Sequence, residues 1–247
     1  MKTIIVVPCY NESKRLRQDD FLNYVQQHND VAFLFANDGS RDNTLEVLRA
    51  LTAKHDNLLL LDIQPNGGKA EAVRKGMLHA ATQYKPDYIA FWDADLATPL
   101  DEIEPMVRWA DKGYDAVMGL RLMRLGAKVS RKPLRHYLGR CFATVASMML
   151  HLPVYDTQCG AKLFRCDVVE TIFTEQFITR WLFDVELLAR YKQLYGIERA
   201  TNKIYEFPLF QWVDVDGSQL KSRDFFKAPI ELIKIHRRYK NNSIKQQ

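Results

Sequence analysis

Five short apolar or β-branched runs, at residues 3–7, 31–36, 58–62, 88–92 and 115–118, are separated by segments with helical periodicity. Residues 44–51 and 68–84 read as helices, and in the second Ala70, Val73, Met77, Ala80 and Tyr84 recur at three- and four-residue steps along one face. Strands that alternate with helices restrict the chain to right-handed βαβ units, a mostly parallel sheet and helices on both of its faces. The fold class is therefore α/β. With 247 residues, 47% of them hydrophobic, the chain can build one large domain or one domain with appendages. The second half is less regular. It reads as a basic amphipathic segment at 130–152, a turn-rich stretch at 155–160, a helix at 180–195, a strand at 203–210 and a basic terminal helix at 224–239.

The most continuous apolar stretch outside the strands, Phe142 to Val154, is interrupted by Thr144, Ser147 and His151. A membrane span needs about 20 apolar residues. Ile4-Ile5-Val6-Val7 before Pro8 is too short for the core of a secretion signal. Cys9, Cys141, Cys159 and Cys166 have no metal-ligand spacing and read as reduced thiols, so the expected location is cytoplasmic. The net charge of +5 is unevenly spread. Residues 116–155 contain no acid and seven Lys or Arg, and from Lys221 onward eight bases face only Asp224 and Glu231. Two basic zones on an acidic body point to a specific anionic ligand or surface, and not to general affinity for nucleic acid. Both zones combine bases with apolar side chains, the pattern of helices lying at a membrane interface, so any membrane contact is expected to be peripheral.

The chemistry-bearing residues collect at strand ends. Pro8-Cys9-Tyr10-Asn11-Glu12 follows the first strand, Asn37-Asp38-Gly39-Ser40 the second, Asn66-Gly67-Gly68-Lys69 the third, and Asp93 and Asp95 the fourth. In open α/β sheets ligands bind at the carboxyl ends of the strands. Two acids one residue apart at such an end repel each other unless a cation lies beside them. Hard oxygen ligands suit Mg²⁺ or Mn²⁺, ions that usually also hold a substrate's phosphates. Gly67-Gly68-Lys69 at a helix start suits phosphate as well, although the Walker A spacing is absent. A nucleotidyltransferase would need a glycine-rich loop after the first strand, and Pro8 to Glu12 is not one.

These four signatures, in this order, resemble the GT-A fold of the family 2 inverting glycosyltransferases. The stretches Asp156-Thr157-Gln158-Cys159-Gly160-Ala161-Lys162-Leu163-Phe164, Arg180-Trp181-Leu182-Phe183-Asp184-Val185-Glu186-Leu187 and Asp216-Gly217-Ser218-Gln219-Leu220-Lys221 narrow the likeness to the polyprenyl-phosphate sugar synthases. Within that group the sequence is most similar to the dolichyl-phosphate β-glucosyltransferases, then to the dolichyl-phosphate mannose synthases. The resemblance spans roughly residues 3–240. It implies a Rossmann-like GT-A domain over 1–220, with 130–152 as an acceptor and interface segment, and a basic helix and tail over 221–247.

The resemblance also implies roles. Pro8, Tyr10 and Glu12 would line the nucleotide pocket, with Asp38 near the base or ribose and Lys69 near the ribose or diphosphate. Asp93 and Asp95 would hold Mg²⁺ or Mn²⁺, Asp95 being the stronger candidate. Arg121 and Arg135 match arginines that grip an acceptor phosphate, and a guanidinium fork can hold one bidentately. Gln158 and Lys162 would shape the sugar and phosphate site. Asp184 and Glu186 match an acidic pair lining the acceptor side, with Asp184 supporting the acceptor more than acting as a base. Ser218 and Lys221 would lie in a loop over the donor. The implied reaction is metal-dependent transfer of a hexose, glucose from UDP-glucose first, from a nucleotide sugar to a polyprenyl phosphate at the cytoplasmic face of a membrane. Alternatives are a mannose synthase using GDP-mannose, a family 2 enzyme acting on a glycan, and a non-catalytic nucleotide-sugar binder. Two positions depart from the usual pattern: Asn37 replaces the first acid of Asp-Asp-Gly-Ser, and Ala97 stands where mannose synthases often place glutamine.

Overall fold

The computed structural model of the protein describes residues 2–130, 133–215 and 222–240. Among these, seven strands form one sheet in the order β3 (Leu58–Ile63), β2 (Val31–Asp38), β1 (Thr3–Cys9), β4 (Tyr88–Trp92), β7 (Ala161–Arg165), β5 (Ala116–Leu120) and β8 (Ile204–Pro208). All neighbours are parallel except β7, which runs antiparallel between β4 and β5. A separate parallel ribbon joins β6 (Lys128–Ser130) to β9 (Gln211–Val213).

The alternation of β1 shows how the sheet is covered. Ile4 and Val6 enter one core cluster, while Ile5, Val7 and Cys9 enter the other, and all five are fully buried. The first cluster is closed by α3 (Lys69–Tyr84), α5 (Pro133–Leu150), α6 (Cys166–Ile172), α7 (Phe183–Lys203) and α8 (Ser222–Lys240). The second is closed by α1 (Gln18–Gln27), α2 (Thr44–Thr52) and α4 (Ile103–Ala110). A glycine sets the depth of one helix. A Cβ on Gly76 would lie 2.4 Å from Val6 Cγ1, so only glycine lets α3 settle this closely on β1.

The five anticipated strands and both early helices are present, with ends shifted by up to two residues. The helix expected at 180–195 runs from Phe183 to Lys203, bent at Gly196, whose φ of 84° and ψ of 163° interrupt it. The strand expected at 203–210 is shorter, Ile204–Pro208. The basic terminal helix is not detached from the domain. Ala228, Leu232 and Ile235 join the first core cluster, and Tyr239 Oη donates to Glu186 Oε1 at 2.9 Å. Among the described residues no helix is long and apolar enough to cross a membrane.

The topology fixes where a ligand can sit. From β1 the chain first moves outward to β2 and β3, then returns to place β4 on the other side of β1. The strand order reverses between β1 and β4, and there the loops beyond the carboxyl ends diverge and leave a crevice. Asp93 and Asp95 stand at that crevice.

Candidate active site

A single cavity of about 1610 Å³ opens at this point. All four strand-end signatures contribute to it through Pro8, Tyr10, Glu12, Asp38, Asn66, Gly68, Lys69, Asp93 and Asp95. The loops are stitched together by their own polar groups. Asn11, at a left-handed φ of 55°, accepts the Arg41 N–H at 2.9 Å while its own N–H donates to Ser40 Oγ at 3.1 Å. The Glu12 N–H donates to Thr44 Oγ1 at 2.8 Å, and Glu12 Oε1 pairs with Arg15 at 2.6 Å.

Asp38 is expected near the base or ribose. It does line the cavity, but its carboxylate is 2% exposed and engaged with the chain itself. Oδ1 accepts the Gly67 N–H at 2.8 Å. Oδ2 accepts the Gly68 N–H at 2.7 Å and Asn66 Nδ2 at 2.9 Å. Its evident work is to shape the loop that starts α3 and presents Lys69. The neighbouring Asn37 is fully buried, donates from Nδ2 to Asp62 Oδ1 at 2.7 Å and accepts from Ser40 Oγ at 2.6 Å. An aspartate there would set two carboxylates against each other, which accounts for this departure from the usual pattern.

Lys69 Nζ lies 2.5 Å from Asp93 Oδ1. Burial opposes its charge, but Asp93, Asp184 and Asp95 outweigh that and hold the ammonium above the ordinary lysine range. Asp95 is pushed the other way: burial and the adjacent Asp93 raise its carboxyl above the usual range, with only the Ala97 N–H, Lys69 and Arg15 opposing. A carboxylate pair that strains against its own charge at the cavity wall suits a divalent cation. Among the described residues no group of three or more His, Cys, Asp or Glu converges on one point. Two hard carboxylates therefore fit an ion that completes its shell with diphosphate oxygens and water, as Mg²⁺ and Mn²⁺ do.

Gly160, just before β7, supports Asp93 from behind. The Asp93 N–H donates to the Gly160 carbonyl at 3.0 Å, and a Cβ on Gly160 would lie 1.9 Å from Asp93 Oδ2. Gly160→Ala is therefore expected to swing the carboxylate out of place. Calorimetric affinity for Mn²⁺ with a nucleoside diphosphate should fall by about tenfold to a hundredfold, the usual range for disturbing a ligand's support. An unchanged affinity would remove Asp93 from the metal site.

Arg121 reaches the cavity from the end of β5 and is pinned by Asp156, with Nε to Oδ2 and Nη2 to Oδ1 both at 2.7 Å. Burial works against its charge, but the Asp156 carboxylate more than offsets that and raises the guanidinium pKa further. Glu206 of β8 holds the same turn, accepting the Tyr155 N–H at 2.8 Å and the Asp156 N–H at 2.7 Å. Gln158 lines the cavity beside Thr157. Gln158 Nε2 and Thr157 Oγ1 are buried polar atoms with no hydrogen-bond partner among the described residues, as expected of groups that await a ligand oxygen.

Two of the anticipated residues do not line the cavity. Lys162 is fully buried and does not line the cavity; its Nζ donates to Asp184 Oδ1 at 2.6 Å and to the Cys159 carbonyl at 2.5 Å. It reaches the site only through Asp184, which does line the cavity. Glu186 faces away, fully buried against Arg190 Nη2 at 2.8 Å and the Ile178 N–H at 2.8 Å. Two positions along the helix, a rotation of about 200°, turn these two acids to opposite faces. The Arg135 side chain and residues Ser218 and Lys221 lie outside the described part of the chain. Arg15, Arg180, Trp181, Tyr155 and Trp212 line the cavity without having been singled out as site residues. Arg180 and Trp181 lie in the Arg180 to Leu187 stretch.

The same cavity is lined by apolar side chains of α5 (Leu138, Phe142, Val145 and Met149) and of α8 (Ala228, Leu232 and Ile233), and by Trp181, whose ring lies 6.3 Å from that of Phe142.

Residues 4–173 match the family model described as glycosyl transferase family 2. A dolichyl-phosphate beta-glucosyltransferase of Trichomonas vaginalis is 33% identical over 94% of this chain and 72% of its own length. The dolichyl-phosphate beta-glucosyltransferase of Homo sapiens is 29% identical over 87% of this chain and 68% of its own. A solved structure of glucosyl-3-phosphoglycerate synthase from Mycobacterium tuberculosis, in complex with Mn²⁺, UDP-glucose and phosphoglyceric acid, superposes with a TM-score of 0.68 over 95% of this chain and 79% of that one at 16% identity. That likeness establishes a shared GT-A fold.

Proposed function

The chain belongs to glycosyl transferase family 2, and on that basis we propose that it transfers glucose from UDP-glucose to a polyprenyl phosphate with a divalent cation, working as a peripheral protein at the cytoplasmic face of a membrane. One observation carries the reading. One cavity is lined by the Asp93 and Asp95 pair, by Arg121 in the grip of Asp156, and by apolar side chains of α5 and α8. The dolichyl-phosphate beta-glucosyltransferases among the relatives support the same choice of sugar and acceptor, and the solved neighbour with Mn²⁺ and UDP-glucose supports the donor and the metal.

Asp93 and Asp95 would hold Mg²⁺ or Mn²⁺, which when bound supplies Lewis-acid neutralisation of charge on the departing diphosphate. Lys69, already beside Asp93, adds a positive charge at the same place. Gln158 and Thr157 offer donors to the sugar or phosphate oxygens. Arg121, oriented by Asp156, steadies the acceptor phosphate. That acceptor needs no strong base, because a phosphate monoester with a second pKa of about 6 is largely dianionic at neutral pH. Positioning the two reactants in line then carries most of the rate. Asp184 suits a supporting role, since burial raises its carboxyl and Lys162 already engages one oxygen.

Titration calorimetry with UDP and GDP, each with and without Mn²⁺, tests the donor side. UDP with Mn²⁺ is expected to bind at least about tenfold more tightly than GDP, a difference of about 1.4 kcal/mol. Tighter binding of GDP would transfer the reading to a mannose-type donor.

A further inference from the structure

Fifteen large apolar side chains are exposed among the described residues, and eleven of them lie on α5, on α8, or on the segments around residues 123–125, 155 and 210–213. Leu138, Val145, Met148, Tyr155 and Ile233 line the cavity itself. Of the others, Met123, Leu125, Phe210 and Val213 belong to neither amphipathic helix. Between β5 and β6 the chain makes a turn closed by the Ala127 N–H to the Arg124 carbonyl at 3.2 Å, with Gly126 at a φ of 82°. At that turn Leu125 is 100% exposed and Met123 50%. Phe210 and Val213, 53% and 47% exposed, flank the adjoining ribbon, where the Lys128 N–H donates to the Phe210 carbonyl at 2.8 Å. The ribbon's inward residue, Trp212, lies under the Arg121 guanidinium with 5.3 Å from Cζ to the ring centroid, so this ribbon adjoins the acceptor end of the cavity.

Isolated exposed leucines are ordinary, but an apolar tip on a basic segment at a cavity mouth is not scattered surface. Arg124 and Lys128 flank the tip, and residues 116–155 contain no acid. A second copy of this surface would set like charges together, whereas anionic lipid headgroups would neutralise them while the apolar tip enters the acyl boundary. We propose that the turn carrying Met123 and Leu125, backed by Phe210 and Val213, inserts into an anionic bilayer and seats the cavity mouth against it. The inference deepens the proposed function by giving the acceptor end its own membrane contact.

Co-sedimentation with phosphatidylcholine vesicles, with and without phosphatidylglycerol and free of any acceptor, tests it. The wild-type chain is expected to sediment with the anionic vesicles, and Leu125→Glu to lose about tenfold in affinity, on the scale of one leucine buried. Leu125→Phe should retain the binding. Both variants should bind UDP with Mn²⁺ and use detergent-dispersed acceptor as the wild type does, because Leu125 touches neither. Wild type that does not sediment, or Leu125→Glu that sediments equally well, overturns the proposal. So does a dimer that Leu125→Glu dissolves, since the patch would then face a second copy. If transfer to polyprenyl phosphate occurs while Leu125→Glu has no effect on vesicle binding, only the insertion fails. If no polyprenyl phosphate is used while Leu125→Glu still releases vesicles, only the acceptor assignment fails.

Discussion

Asp95→Asn is expected to lower transfer by about a thousandfold, the equivalent of about 4 kcal/mol of transition-state stabilisation, while leaving the fold as stable as before or slightly more so. The two halves of that expectation have one cause. Burial first, and then Asp93, raise the Asp95 carboxyl above the ordinary range, so the folded state binds its proton more tightly than the unfolded chain does. Such a group's contribution to folding is fully present only below its unfolded value. Its contribution is lost as pH rises through the folded value, and at neutral pH the ionised carboxylate works against stability. Its hydrogen bond from the Ala97 N–H, at 3.1 Å, can be kept by an asparagine carbonyl. Removing the charge thus relieves the fold and removes the metal's ligand together. Thermal melts and initial rates on the same preparations check both halves. Activity within tenfold of wild type would take Asp95 out of the metal site.

Lys162→Met has the opposite signature, a large loss of stability with donor chemistry disturbed only indirectly. The ammonium is wholly buried, and its removal leaves Asp184 buried without its partner at 2.6 Å. Breaking a buried pair from one side costs about 3–5 kcal/mol. For a domain of this size that is a fall in Tm of roughly 6–20 °C. Protonation of Asp184, whose carboxyl burial already raises, limits the loss. The double variant Lys162→Met with Asp184→Leu should recover much of the stability, because no charge is then left unpaired, but not the activity. Differential scanning calorimetry of the two singles and the double decides the matter. A Lys162→Met melt within about 2 °C of wild type, under 1 kcal/mol on the same scale, would mean the pair contributes little.

The same lysine explains why part of the fold was hard to read in advance. β7, Ala-Lys-Leu-Phe-Arg, carries two cations in five residues, so its pattern does not announce a central strand. It is central because Lys162 finds the nearby Cys159 carbonyl and, on a later helix, Asp184 inside the protein. α1 is hard to read for a related reason: Gln-Asp-Asp-Phe-Leu-Asn-Tyr-Val-Gln-Gln has few apolar positions, yet Phe21, Tyr24 and Val25 suffice to seat it. The parallel strands were legible because burial on both faces leaves them continuously apolar. The site was legible for a different reason. Its loops follow those strands directly, so residues distant in sequence fall at one sheet edge by topology alone. Spacing could not separate Asp184, which lines the cavity, from Glu186, which is turned into the core toward Arg190. Nor could it show that Asp38 spends its oxygens on the Asn66 to Gly68 loop.

The proposed reaction is tested most directly by supplying radiolabelled UDP-glucose, Mn²⁺ and undecaprenyl or dolichyl phosphate and counting label that becomes soluble in organic solvent. The account predicts lipid-soluble label that depends on the acceptor phosphate, disappears with chelator and is nearly absent with Asp95→Asn. Label that stays water-soluble with every polyprenyl phosphate, or lipid-soluble label formed equally well by Asp95→Asn, would contradict it.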